Sequence, residues 1–295
     1  MQTLEALQRK IHSAEDLQSV VKTMKALAAV SIRQYERAVE ALAVYHRTIE
    51  LGLHVVLTTR RERAMARPVS TNRLGALVFG SDQGMCGQLN EQIVTHAQQA
   101  MAEVGVQPAD RTVAVVGARA AARLEEAGQP IEACYDVPSS LAGITPLVQD
   151  VLLHIEAWHT QQQLERIYLF HSQPLSGAAF RPHTVHLLPL NQAWLATLEL
   201  EAWPTRMLPA FTMDWERLFA ALVRQYLFVS LYQACAESLA SENASRLAAM
   251  QGAEKNIEER LAVLQAQFRQ QRQTAITEEL LDIVAGFEAL TQPGT

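Results

Sequence analysis

Residues 214–290 contain no proline and only two glycines, Gly252 and Gly286. Apolar residues return along this stretch at alternating steps of three and four: Phe219, Leu222, Tyr226, Val229, Ala236, Ala240, Leu247, Met250, Ile257, Leu261, Leu264 and Phe268. A few polar residues interrupt the seam. This is the heptad repeat of a coiled-coil helix. At 1.5 Å per residue it would run about 115 Å. A domain of this size cannot enclose such a helix. The pattern therefore predicts that it projects and is received by something else.

A second long helix is predicted from Leu4 to Thr58. One seam row carries Leu4, Ile11, Gln18, Lys25, Ile32, Val39, His46 and Leu53; the other carries Leu7, Ala14, Val21, Ala28, Tyr35, Leu42, Ile49 and Val56. The three polar exceptions are tolerated seam residues or register markers rather than ligands. The simplest way to bury both stripes is an antiparallel pair. If Thr58 lies beside Asp214, Lys25 faces Leu247, Leu4 faces Phe268, and Ala26, Ala28 and Ala29 face residues 244–248. The final residues then lack a partner within the chain. There Ile276, Leu280, Leu281, Ile283, Val284 and Phe287 surround the helix axis. A helix that is apolar on most sides is normally buried, so this tip is expected inside other subunits.

The middle of the chain changes period. Short β-rich runs (Leu74–Phe79, Thr112–Val116, Ile131–Tyr135, Ile167–His171, Val185–Leu190) alternate with helical patterns near Gln88–Val104, Arg119–Ala127 and Ile144–Trp158. Such alternation predicts a mostly parallel sheet covered by helices. The expected class is α/β: an antiparallel coiled coil of terminal helices (1–58 and 212–295) with an α/β domain (70–210) inserted between them. Thr197–Pro209 reads as a connector, and Thr212 or Asp214 as the N-cap of the last helix. Arg60, Arg61, Arg63 and Arg67 form a basic run, read as a solvated helix end or loop.

Bulk properties narrow the function. The formal charge of −6 gives no reason to expect nucleic acid as a partner. Three cysteines, Cys86, Cys134 and Cys235, are too few and too scattered for a disulfide framework. The N-terminus opens on a heptad and shows no signal-peptide pattern. Leu218–Ala236 is the most apolar window, but Arg224, Gln225 and Gln233 interrupt it, so it reads as a seam rather than a membrane span.

Chemistry is sparse. Gly80–Gly87 follows a predicted strand and precedes a predicted helix, the place of a phosphate-binding loop. It lacks the Lys-Ser/Thr ending of a P-loop and the glycine spacing of a dinucleotide fingerprint. The expected reading is a tight turn presenting Asp82 to Cys86 at the surface. No histidine set has metal-ligand spacing, and no carboxylate pair stands out as acid and base. No catalytic residue, metal or cofactor is assigned. Arg269, Arg272 and Gln273 border the tip, as a solvated face or as interface hydrogen-bond donors.

Three stretches resemble a known family. They are Ile11 to Ala29; Ser81-Asp82-Gln83-Gly84-Met85-Cys86-Gly87-Gln88-Leu89-Asn90; and Ser241-Glu242-Asn243-Ala244-Ser245-Arg246 followed by Arg272 to Gly286. Together they resemble the γ subunit, the central stalk, of rotary F-type ATP synthases. The resemblance implies a rotor that carries torque between a membrane ring of c subunits and the catalytic β subunits. The tip would turn inside a sleeve of α and β subunits, and a small ε-type subunit would clasp the foot. ATP and magnesium would be handled on the neighbouring subunits. It implies a peripheral membrane protein on the cytoplasmic side of a prokaryotic plasma membrane, touching the membrane only through the c ring.

By position, the resemblance assigns Arg272, Gln273, Thr277, Glu279, Lys22 and Met24 to contacts with β. It assigns Asp82, Gln83 and Cys86 to the foot turn, and Ile276, Leu280, Ile283, Val284 and Phe287 to the bearing tip. Gln83, Gln88 and Val30-Ser31 depart from the usual family residues and point to a divergent branch, of which sodium-moving rotary ATPases are one candidate. Two other readings stand beside this one: a nucleotide-binding α/β enzyme with coiled-coil arms, and a free coiled-coil scaffold.

Overall fold

The computed structural model describes residues 3–59, 73–175, 179–201, 203–207 and 209–291. The Arg60, Arg61, Arg63 and Arg67 run lies outside the described residues. The chain divides into two compact units, 28–247 and the chain ends 1–27 with 248–295. Helices α1 (Leu4–Thr59) and α6 (Trp215–Thr291) contribute to both.

In the larger unit, five strands form one sheet in the order β3-β2-β1-β4-β5. They are β1 (Leu74–Phe79), β2 (Arg111–Val116), β3 (Ala133–Tyr135), β4 (Ile167–Pro174) and β5 (Phe180–Leu188). The first three pairings are parallel, and β4–β5 is antiparallel. Helices α2 (Leu89–Glu103), α3 (Ala118–Glu126) and α4 (Leu141–Thr160) make the crossovers.

Central strand β1 is buried along its whole length, as its unbroken apolar run requires when both faces are covered. Its residues alternate between two cores. Leu74, Ala76 and Val78 pack with Ile93, Met101 and Leu124 of α2 and α3. Leu77 and Phe79 pack with Ile144, Val148 and Trp158 of α4, Tyr35 of α1, and Leu231 and Leu239 of α6. A fully buried Leu or Phe stabilises by about 1.5–3 kcal/mol, so these two layers account for most of the unit's cohesion.

Three details differ from expectation. Strand β5 begins at Phe180 rather than Val185, because an edge strand tolerates the Pro182 that interrupts the sequence pattern. An unpredicted helix, α5 (Gln192–Leu200), runs into the start of the connector; it is capped by Asn191, whose Oδ1 accepts from the Ala193 and Trp194 amides. Only Ala28 of the Ala26, Ala28 and Ala29 group is buried; the other two are exposed. At the start of α6, Asp214 is the cap: its Oδ2 accepts from the amides of Glu216 and Arg217.

Within this unit the two long helices are antiparallel. Trp215 Nε1 donates to the Val56 carbonyl at 2.9 Å, and Tyr45 Oη donates to Gln225 Oε1 at 2.9 Å. By length and composition α6 contains a stretch apolar enough to cross a membrane. In Leu218–Ala236, however, Leu227, Leu231, Ala234, Cys235 and Ala236 belong to the core under the sheet, and Val229 to a second cluster with Ile49 and Leu53.

In the smaller unit the helix ends are also antiparallel. Every predicted seam residue of α1 there is wholly or partly buried, with Leu7 and Val21 buried most. Lys25 pairs with Glu254 and Gln18 with Glu258. The expected partner of Lys25 was Leu247, so the register lies about two helical turns further along α6. Leu4 and Leu7 accordingly line a groove with Gln267, Gln270, Gln271, Thr274, Ala275 and Glu278, rather than ending at Phe268. From Ile276 to Phe287 every residue of α6 is exposed.

Candidate functional site

In an open α/β sheet, ligands bind beyond the carboxyl ends of the strands, where the strand order reverses. Here that crevice lies between β1 and β4. The turn Gly80–Gly87 leaves β1 directly into it. Ser81 is fully buried, held by Asn90, whose Oδ1 accepts from the Ser81 amide (3.0 Å) and whose Nδ2 donates to Ser81 Oγ (2.8 Å). Gly80 packs so tightly on α3 that a Cβ would lie 2.3 Å from that of Ala120.

The chain's own groups occupy the positions a phosphate would take. Asp82 Oδ1 accepts from the Ala118 amide at the N-terminus of α3 (2.9 Å), and its Oδ2 from the Val137 amide (2.7 Å). A carboxylate therefore already fills the anion position at that helix end. On the other side α6 closes the crevice: Ser245 Oγ donates to the Cys86 carbonyl (2.6 Å), and Ser241 Oγ to the Ser172 carbonyl (2.9 Å). The expectation that the turn shows Asp82 to Cys86 to solvent is corrected. Cys86 is buried and Asp82 is bonded inward, while Gln83 and Met85 are exposed. The reason is the unmet backbone donors at residues 118 and 137, which the Asp82 carboxylate satisfies. This geometry takes away the basis of the nucleotide-binding reading.

Residues 234–245 of α6 are buried on all sides, apart from a partly buried Asn243. Yet they include Glu237, Ser238, Ser241, Glu242 and Ser245. Glu237 accepts from Gln233 Nε2 at 2.8 Å and pairs with His171 Nε2 of β4 at 2.9 Å. The His183 ring of β5 stands edge-on to His171. Burial alone would raise the Glu237 pKa. Hydrogen bonds from His171 and Gln233, with the charge of His171 and His183, outweigh burial and hold it below the ordinary carboxylate value.

One turn on, burial dominates and pushes Glu242 up, although Arg246 bonds it at 2.5 Å. Burial, with Glu242 adding, pushes the Cys235 thiol up to about 12. That thiol is therefore inert packing rather than a nucleophile. The sequence reading missed this girdle. Its signal was present: Glu237, Ser238, Ser241, Glu242 and Ser245 share one side of the helix, a polar stripe beside the Ala236–Ala240 seam.

The residues assigned to partner contact lie elsewhere. In the smaller unit Arg272, Gln273, Thr277 and Glu279 are exposed on α6; Lys22 is exposed and Met24 partly buried on α1. Thr277 Oγ1 donates to the Gln273 carbonyl at 2.9 Å. The tip residues Ile276, Leu280, Ile283, Val284 and Phe287 are between 48 and 68% exposed. Among the described residues no cluster of His, Cys, Asp and Glu is arranged to hold a metal ion.

A family model described as ATP synthase matches residues 3–290. The chain belongs to the ATP synthase γ family. Its relatives include the ATP synthase gamma chains of Nostoc sp., 28% identical over 320 residues covering 99% of this chain and 100% of that one, and of Thermosynechococcus vestitus, 26% identical over 315 residues covering 98% and 100%. Among solved structures, a chain of the Euglena gracilis mitochondrial ATP synthase OSCP/F1/c-ring assembly superposes with a TM-score of 0.64 at 18% identity, covering 99% of this chain and 97% of that one. A chain from the Tetrahymena thermophila central stalk and c-ring gives 0.56 at 19% identity over 79% and 99%. The γ fold, a sheet with long N- and C-terminal helices, accords with the architecture found here.

Proposed function

We propose that this chain is the central-stalk rotor of an ion-translocating ATP synthase, carrying torque between a membrane-embedded c ring and the catalytic subunits of the head. A γ-family chain is a central-stalk subunit, and the Euglena gracilis chain that this one superposes on comes from an OSCP/F1/c-ring assembly. The chain itself performs no catalysis; ATP is made or hydrolysed on the β subunits. It is a peripheral subunit of the membrane complex, on the cytoplasmic side. A small ε-type subunit holds the foot.

One observation carries the reading. Residues 276–287 present Ile276, Leu280, Leu281, Ile283 and Val284 to solvent around the axis of one helix. Isolated exposed apolar residues are ordinary, but a contiguous set marks an interface. A sleeve of α and β subunits gives it a surface on which to turn. Arg272, Gln273, Thr277 and Glu279 supply polar contacts to β at the base of the tip, and Lys22 and Met24 of α1 add a further contact along the stalk.

The test is capture from native membranes with the tagged chain and with a version ending at Gln271. The full chain should recover α, β and c subunits. The shortened chain should keep c and lose most α and β. Recovery of no ATPase subunit by the full chain overturns the assignment. Equal recovery of α and β by both versions overturns the role of the tip.

A further inference from the structure

Residues 234–245 of α6 read Ala-Cys-Ala-Glu-Ser-Leu-Ala-Ser-Glu-Asn-Ala-Ser. Eight of these twelve side chains are Ala, Ser or Cys. A helix built from such residues has shallow ridges and grooves, and interdigitating ridges are what fix one helix against its neighbours. Apolar burial is non-directional. The core around this stretch therefore favours enclosing it but discriminates weakly between one rotation of the helix and another.

The polar contacts are directional, and at spacings of four residues they line one face of the helix, turned toward the sheet. Glu237 reaches His171 of β4, Ser241 reaches the backbone of Ser172 on the same strand, and Ser245 reaches the backbone of Cys86 in the turn after β1. Each bond is 2.6–2.9 Å long, and every one of these side chains is buried. Turning the helix by one residue would break all three and leave buried acceptors unmet.

We propose that Glu237, His171, Ser241 and Ser245 form a rotational lock that keeps α6 from slipping against the α/β sheet when torque passes along it. They are positioning residues: they touch no nucleotide and act by holding the register of the shaft. Buried polar groups serve this register-fixing purpose in coiled coils, at some cost in stability. The inference rests on the rotor reading above.

The experiment uses the assembled complex in sealed vesicles, with ATP hydrolysis and ATP-driven ion uptake measured together. The decisive variant is His171→Leu with Glu237→Leu, which removes the polar pair while retaining bulk. The ratio of uptake to hydrolysis should fall, by up to about fivefold, the factor that one lost buried hydrogen bond puts on an equilibrium between two registers. Glu237→Gln keeps an acceptor for His171 and should keep the ratio near that of the wild type. A purely structural role would lower the yield of complex and leave the ratio unmoved.

If the double leucine variant fails to assemble, Ser241→Ala with Ser245→Ala decides the matter, since it removes two hydrogen bonds and little volume. An unchanged ratio in whichever variant assembles overturns the lock. Absence of ATP-driven uptake in the wild-type complex would instead count against the rotor reading itself.

Discussion

Two stretches of α6 invert the usual relation between polarity and exposure. Residues 234–245 are buried on all sides and carry two glutamates and three serines. Residues 276–287 are exposed throughout and carry Ile276, Leu280, Leu281, Ile283, Val284 and Phe287. In the first, Glu237, Ser241, Glu242 and Ser245 each find a partner inside the chain, while Ser238 Oγ and Glu242 Oε2 are buried without one. Most of its polar side chains are part of the fold. In the second, the apolar surface is not absorbed by the chain's own core, and its free energy is available to an assembly. Similar departures from the inside–outside rule thus have opposite meanings. One is internal specificity, and the other, on the proposed rotor reading, is an interface.

The largest expected effect comes from unbalancing the buried pair. His171→Ala leaves Glu237 ionised, buried and short of one partner, which costs about 3 kcal/mol. His171→Leu with Glu237→Leu removes both partners and should cost clearly less than His171→Ala alone. Chemical denaturation of the purified chain measures both, and a double substitution as damaging as the single one would break the argument.

The same pair predicts an acid limb. Glu237 has a native pKa below its ordinary value, so its stability contribution is present above the unfolded-state pKa. It is lost as pH falls from the ordinary carboxylate range through the depressed native value. Glu242 runs the other way: its raised pKa favours the fold at low pH, and that contribution disappears as pH rises from the ordinary value through the native one. Glu237→Gln should therefore flatten the acid limb of stability against pH while leaving the opposing Glu242 contribution in place. An unaltered limb would show that Glu237 is not the group responsible.

A smaller effect is expected in the turn after β1. Asp82→Ala leaves the amides of Ala118 and Val137 unpaired and should cost about 1–2 kcal/mol. The adjacent Gln83 is exposed, and Gln83→Ala should stay within about 0.5 kcal/mol. Thermal unfolding of the two variants separates a structural carboxylate from a surface residue one position away. Equal shifts would contradict the inward bonding of Asp82.

The fold was largely legible because its two periods are unambiguous. The heptads of α1 survive as a continuous row of buried or partly buried residues from Leu4 to Val56. The run Leu74–Phe79 is apolar without interruption because strand β1 is covered on both faces. What escaped depends on three dimensions. The register counted from Thr58 and Asp214 holds in the larger unit, where Trp215 meets Val56 and Tyr45 meets Gln225, but it does not carry to the helix ends, where Lys25 pairs with Glu254. Helix α5 was lost because Asn191 and nine residues lack a long period. The His171–Glu237 pair was hidden because its members stand 66 residues apart. The inward role of Asp82 needed knowledge of where the amide of Val137 would lie. The apolar tip was visible at once, since composition around a helix axis needs no partner to be read.

The smallest expected effect on stability is at that tip, and it sharpens the comparison most. Ile276→Gln, Leu280→Gln and Ile283→Gln alter side chains 48–68% exposed. Glutamine is close to leucine in helix propensity and somewhat better than isoleucine. Each variant of the isolated chain should unfold within about 0.5 kcal/mol of the wild type. Combined in one chain, the three should sharply reduce co-purification with α and β subunits and lower self-association of the free chain, because both draw on the same apolar surface. The variants of the rotational lock should show the reverse profile: a weakened or slipping fold with co-purification of α and β unchanged. A tip substitution that destabilised the isolated chain by 2 kcal/mol, on the order of a buried aliphatic side chain, would mean that the chain covers these residues itself in solution. The tip would then be a packed element of the fold and not the surface on which a rotor turns.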